Sequence, residues 1–188
     1  MKKQEKIDLI SSCIGTDKIL RTYFKYDENY WYYYPNAVSE HLILGQEEID
    51  FELDGYHIRK ISDLKKAEVK FDLCEQINVW KGVTKEIKNP NVDITSWQTV
   101  FRSPVLRGRF IIVEDENIEV FRIGLIRKVC ARYLLLDSFD ADGIFEDAPY
   151  AFPYSKITHV AWDTRYSENW YQYMRSHSML NKSKAGNK

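Results

Sequence analysis

The chain has 188 residues, of which 44% are hydrophobic, 14% aromatic and 29% charged. That composition excludes a disordered chain, a collagen-like repeat and a disulfide-dense scaffold, and the length suits one large domain or two small ones. With 27 basic and 28 acidic residues the formal net charge is −1, so bulk charge does not hold the chain to nucleic acid or to a membrane.

In chain order, Ile7, Ile10 and Ile14 share one face of a helix expected over residues 2–14. Leu20, Thr22, Phe24 and Tyr26 line one side of a strand. The aromatic run that follows alternates: Tyr30, Tyr32 and Tyr34 point one way, Trp31 and Tyr33 the other. Asp54-Gly55 reads as an acidic turn, and Leu73, Ile77 and Trp80 sit at helical spacing over 72–80. Asn89-Pro90-Asn91 marks a junction. Strands are expected at 109–114, 118–129, 133–139, 148–154 and 157–162, with Asp142-Gly143 supplying a hairpin turn. Trp170, Tyr173 and Met174 then share a face of a closing helix, and Ser176 to Lys188 is polar, lightly basic and expected to be disordered. No apolar run approaches the roughly 20 residues needed to span a bilayer. The N-terminus lacks the unbroken apolar core of a signal peptide. Cys13, Cys74 and Cys130 are scattered and odd in number, which fits a reducing compartment and a cytoplasmic location.

The two halves resemble each other. Ile61–Ala67 matches Tyr154–Val160 at an offset of 93 residues, each half carries an Asp-Gly pair, and each is followed by a polar helical segment ending in aromatics. The expected fold is therefore mainly β: two tandem small SH3-like or Sm-like barrels from an internal duplication, with short flanking helices. The domains are 1–88 with a leading helix, 89–175 with a closing helix, and a tail over 176–188. The stretch Pro149–Val160 resembles the last hairpin of Sm-like barrels, and the whole pattern is similar to bacterial proteins with tandem Sm-like units. That resemblance implies no activity, and the glycine-containing nucleotide pocket of Sm proteins is not recognisable in this chain.

Local motifs argue against most chemistries. Asp137–Gly143 invites a calcium-loop reading, but Ser138 and Pro149 fall where two principal ligands are required, and a hairpin explains the Asp-Gly pair. His41, His57, His159 and His177 show no metal-ligand spacing and read as isolated surface or interface residues. Nucleophile elbows and phosphate-cradling glycine loops are absent, so no catalytic residue, metal or cofactor is expected.

Three functions remain. The leading one is a non-catalytic module that binds a protein partner, or a second copy of itself, through the aromatic run Tyr30, Trp31, Tyr32, Tyr33 and Tyr34. The alternative is an RNA- or single-stranded-DNA-binding protein using Arg107, Arg109, Arg127 and Arg132 with stacking aromatics. The third is an enzyme with a site between the barrels around Asp140, Asp142, His159 and Asp163. Trp80 and Trp170 are expected to seal the barrels, leaving Trp31 for any binding face.

Overall fold

A computed structural model describes residues 1–180; part of the expected tail, 181–188, lies outside the described residues. The chain forms helix α1 (Lys3–Ser11), strands β1 (Ile19–Phe24), β2 (Tyr30–Val38), β3 (Leu42–Ile49), β4 (Glu52–Lys60) and β5 (Leu64–Lys70), then helix α2 (Leu73–Lys81). After an irregular stretch come α3 (Trp97–Arg102), β6 (Ile111–Asp115), β7 (Phe121–Val129), β8 (Tyr133–Ser138), β9 (Tyr150–Pro153), β10 (Ile157–Trp162) and α4 (Arg165–Ser176). All ten strands belong to one antiparallel sheet in the order β5-β1-β2-β3-β4-β10-β6-β7-β8-β9. Among the described residues no helix is long and apolar enough to cross a membrane.

The sheet is continuous because β4 pairs with β10, residue for residue from Tyr56↔Trp162 to Arg59↔His159. Strand alternation sends the side chains of this seam to two very different environments. On one face Leu42, Leu44, Ile58, Val160 and Trp162 join the largest core, which also takes in Val92, Ile94 and the α3 residues Trp97, Val100 and Phe101. The junction around Asn89-Pro90-Asn91 thus leads straight into the core. On the other face α1 covers the first half through Ile10, packed with Leu20, Tyr33 and Ile43. There α4 covers the second half through Met174, packed with Phe110, Ile112, Phe139 and Ala161. Between these two covers, at β4 and β10, the sheet carries polar residues instead.

Four expectations change. The β3–β4 hairpin turns at Asp50-Phe51, both with positive φ, as a two-residue turn of the mirror-image type demands. Asp54-Gly55 lies inside β4, where Gly55 (φ +73°) lets the backbone approach Asp163 and Thr164. Tyr33 and Tyr34 are fully buried, because α1 closes over one face of β2 while Ile19 and Val83 close over the other. Trp80 seals nothing: it is exposed, whereas Trp170 is half-buried against Phe139 with ring centroids 5.1 Å apart. The chain beyond α4 stays packed as far as Met179 and Leu180, which lie against the α4 core.

Candidate functional site at the seam

Two cross-strand rows build the polar face. One runs Ile43, Arg59, His159, Glu114, Phe121 across β3, β4, β10, β6 and β7; the next runs Gly45, His57, Ala161, Ile112, Ile123. Pairing partners in a sheet share a face, so His57, Arg59, His159 and Glu114 are neighbours by register alone. An irregularity between Gln46 and Glu48 sets Glu47 out of the β3–β4 ladder, while it keeps its pairing with Tyr33 of β2. Gly45, opposite His57, makes room for Tyr33, whose ring occupies the place of a β-carbon and whose hydroxyl donates to the His57 carbonyl.

The four central side chains, Glu47, His57, Arg59 and His159, are all buried. His57 Nε2 lies 2.7 Å from the Asp54 carbonyl, which can only accept, so Nε2 carries the hydrogen. His159 Nδ1 lies 3.1 Å from Glu114 Oε2. The inner nitrogens, His57 Nδ1 and His159 Nε2, are 3.0 Å apart with the rings within 10° of parallel. Glu47 Oε2 stands 3.4 Å from His57 Nδ1, and its other oxygen is 3.4 Å from Arg59 Nη2. Arg59 also binds Asp27 at 2.9 Å and packs over Phe24, while Trp31 Nε1 donates to Asp27 at 2.7 Å.

Burial pushes the His57 imidazole below its usual pKa, outweighing the attraction of Glu47, so the ring is held neutral. Burial pushes the Glu114 carboxyl up, but the hydrogen bond from His159 and the positive charge of Arg59 more than offset it, bringing the group down to about 2. Arg59 loses hydration yet is held above its usual value by Glu47, Asp27 and Glu114. The cluster opens into a cavity of about 510 Å³ whose walls include Trp31, Ile49, Phe121, Thr164 and Tyr166.

Of the aromatic run, Trp31 reaches this cavity, half-buried. Tyr30 is partly exposed, with Arg21 4.6 Å over its ring, and Tyr32 accepts from the same arginine at 2.8 Å. The arginines lie at two places, Arg107 and Arg109 before β6 and Arg127 and Arg132 about the β7–β8 turn. Arg109 pairs with Asp163, and Arg127 Nε lies 2.9 and 2.8 Å from the two Asp137 oxygens. Arg107 and Arg132 are exposed. Arg109 precedes β6, whose Ile111 pairs with Gly124; Arg132 follows Val129, roughly 17 Å further along β7 at strand rise. Of the residues considered for an enzyme, only His159 enters the seam: Asp140 Oδ1 accepts from the Asp142 and Ile144 amides at 3.0 and 2.9 Å, and Asp163 holds Arg109.

The reading of His57 and His159 as isolated surface or interface residues is corrected by their burial and contact, made across a separation of 102 residues. The legible signal was His57-x-Arg59, two polar residues on one face of a strand otherwise carrying Ile58 toward the core. Comparison of the chain with protein-family models, curated proteins and solved structures found no match.

Proposed function

We propose that the chain is a non-catalytic protein-binding module of two tandem Sm-like or SH3-like units, with its docking surface on the outward side of α2 beside the edge strand β5. The duplication draws support from the strand order, in which the fifth strand of each half lies beside its first. A bulge recurs between the second and third strands of each half, at Pro35/Ala37 and at Ile126/Lys128. Leu64 and Ile157, matched by the 93-residue offset, each begin a fifth strand and are each buried. The three free thiols suit a reducing, cytoplasmic setting.

The observation that carries the binding reading is the polarity of α2. Leu73 at 69% and Trp80 at 83% exposure face out, with Ile77 half-buried between them and Phe71 just before the helix at 84%. Two of its polar residues, Glu75 at 3% exposure and the fully buried Asn78, face in, while Gln76 and Lys81 remain exposed. A helix that turns its apolar side to water gains nothing by it unless that side is covered in use, and clustered exposed aromatics mark interaction sites. The patch borders β5, whose outer edge is unpaired among the described residues. An extended partner segment adding to β5 would gain backbone hydrogen bonds and place side chains against Phe71 and Trp80.

The test is quantitative affinity capture from native lysate with the wild-type chain and with a Phe71→Ser/Trp80→Ser variant, together with size-exclusion chromatography across concentration. A protein, or a second copy, retained by the wild type and lost by the folded variant supports the reading. Identical capture profiles and identical elution for the two chains overturn it.

A further inference from the structure

We propose that Glu47, His57 and His159 form a binding site for a divalent transition-metal ion of the zinc type, with a coordination position left open toward the seam cavity. One ligand atom from each residue lies within 4.8 Å of the other two, and all three residues are buried. The His57 Nδ1 to His159 Nε2 separation of 3.0 Å and the Glu47 Oε2 to His57 Nδ1 separation of 3.4 Å are close to the edges of a coordination tetrahedron, about 3.3–3.6 Å for metal–ligand bonds of 2.0–2.2 Å. Closing on an ion would part the two nitrogens by only a few tenths of an ångström.

The surroundings fit a metal centre as closely as the ligands do. His57 gives its outer N–H to the Asp54 carbonyl and His159 turns its outer nitrogen to the Glu114 carboxylate, which fixes each ring with a lone pair facing inward. Arg59 holds the Glu47 oxygen not facing His57. Two inward lone pairs 3.0 Å apart repel unless a cation lies between them. A proton is the lesser answer: three carboxylates, Asp27, Glu47 and Glu114, stand against the single guanidinium of Arg59, so one shared proton leaves the cluster at −1. A divalent ion brings it to neutral, and the charge on Glu47, which is buried, is costly to leave uncompensated, whereas Asp27 and Glu114 keep some contact with water. Two imidazoles and one carboxylate favour zinc and its transition-metal neighbours over calcium or magnesium, which take oxygen ligands. With three protein ligands, the remaining position faces the cavity walled by Trp31, Phe121 and Tyr166, where a water or an anionic ligand can bind. The site is separate from the α2 surface and stands or falls without it.

The experiment titrates chelator-treated, desalted chain with Zn2+ by calorimetry and with Co2+ by visible absorption. One equivalent of each should bind, and Co2+ should show the intense bands of a four- or five-coordinate centre. His159→Gln and Glu47→Gln should weaken Zn2+ binding by about 100-fold or more, and Glu114→Gln, which alters only the partner of His159, by roughly 10–100-fold. His41→Gln, at an exposed histidine, should bind as the wild type does. Near-ultraviolet circular dichroism of each variant confirms the fold, and should the ligand variants unfold, the wild-type and Glu114→Gln titrations decide. Absence of saturable binding near one equivalent in the folded wild type, or unchanged affinity in folded His159→Gln or in Glu114→Gln, overturns the proposal and leaves the pair bridged by a proton.

Discussion

Gly55 shows how a single position ties the two halves at the seam. Its φ of +73° belongs to the left-handed region, and a β-carbon there would lie 2.5 Å from the Thr164 backbone nitrogen and 2.6 Å from the Asp163 carbonyl. Those obstacles are main-chain atoms that cannot rotate away. Thr164 is the N-cap of α4, its hydroxyl accepting from the Ser167 amide at 3.1 Å, and the neighbouring Asp54 accepts from the Arg165 amide at 2.8 Å. Asp54 also receives the His57 hydrogen bond through its carbonyl. Gly55→Ala therefore combines backbone strain, worth about 1–3 kcal/mol, with displacement of the start of α4. Urea denaturation should show a loss of at least about 1 kcal/mol. A loss below about 0.5 kcal/mol would mean that β4 and the α4 N-terminus are not closely apposed in solution.

Secondary-structure elements differ in how far their apolar residues are covered, and α2 leaves Leu73 and Trp80 more exposed than most. Leu64 and Ile157 begin β5 and β10 and are each buried, Leu64 in the core beneath α1 and Ile157 in the largest core. Truncating either to Ala should cost roughly 2–5 kcal/mol. Phe71→Ser/Trp80→Ser should instead change stability by no more than about 0.5 kcal/mol, because water already surrounds both side chains. Calorimetric melting of the three variants separates the cases, and a large loss in the α2 variant would make that surface part of the fold. The same contrast explains what the sequence made legible. Helical spacing located α2 to within a residue, but periodicity says only that Leu73, Ile77 and Trp80 share a side, not that the side turns inward. Alternation sorted Tyr30–Tyr34 onto the correct faces, yet gave no sign that both faces of β2 would be covered. The seam lay out of reach for a different reason. His57 and His159 meet only because β4 pairs with β10, a contact between remote segments that no local pattern encodes.

Across the whole molecule, tyrosine links stability to alkaline pH. Burial raises the pKa of Tyr33, Tyr34, Tyr56 and Tyr154 above the usual phenol value, to about 12 for Tyr154. A group whose folded pKa exceeds its unfolded value of about 10 contributes stability that is complete below pH 10 and is lost as pH rises through the folded value. Stability should thus hold to about pH 10 and then fall, most of the Tyr154 contribution going by about pH 12. Tyr154 joins distant parts of the chain: its ring stacks on Phe101 of α3 with centroids 6.0 Å apart, and its hydroxyl donates to the Cys130 carbonyl at 2.8 Å. Tyr154→Phe removes that hydrogen bond, at a cost of about 0.5–1.5 kcal/mol at neutral pH, and also removes the ionisable group. The variant should start less stable than the wild type and close the gap between pH 10 and 12, where only the wild type must keep this phenol protonated to stay folded. Urea melts at fixed pH steps, with phenolate absorbance recorded alongside, measure both effects. A gap that stays constant or widens through that interval would show that Tyr154 ionises at least as freely in the folded chain as in the unfolded one, and that its burial between α3 and the β7–β8 turn does not persist in solution.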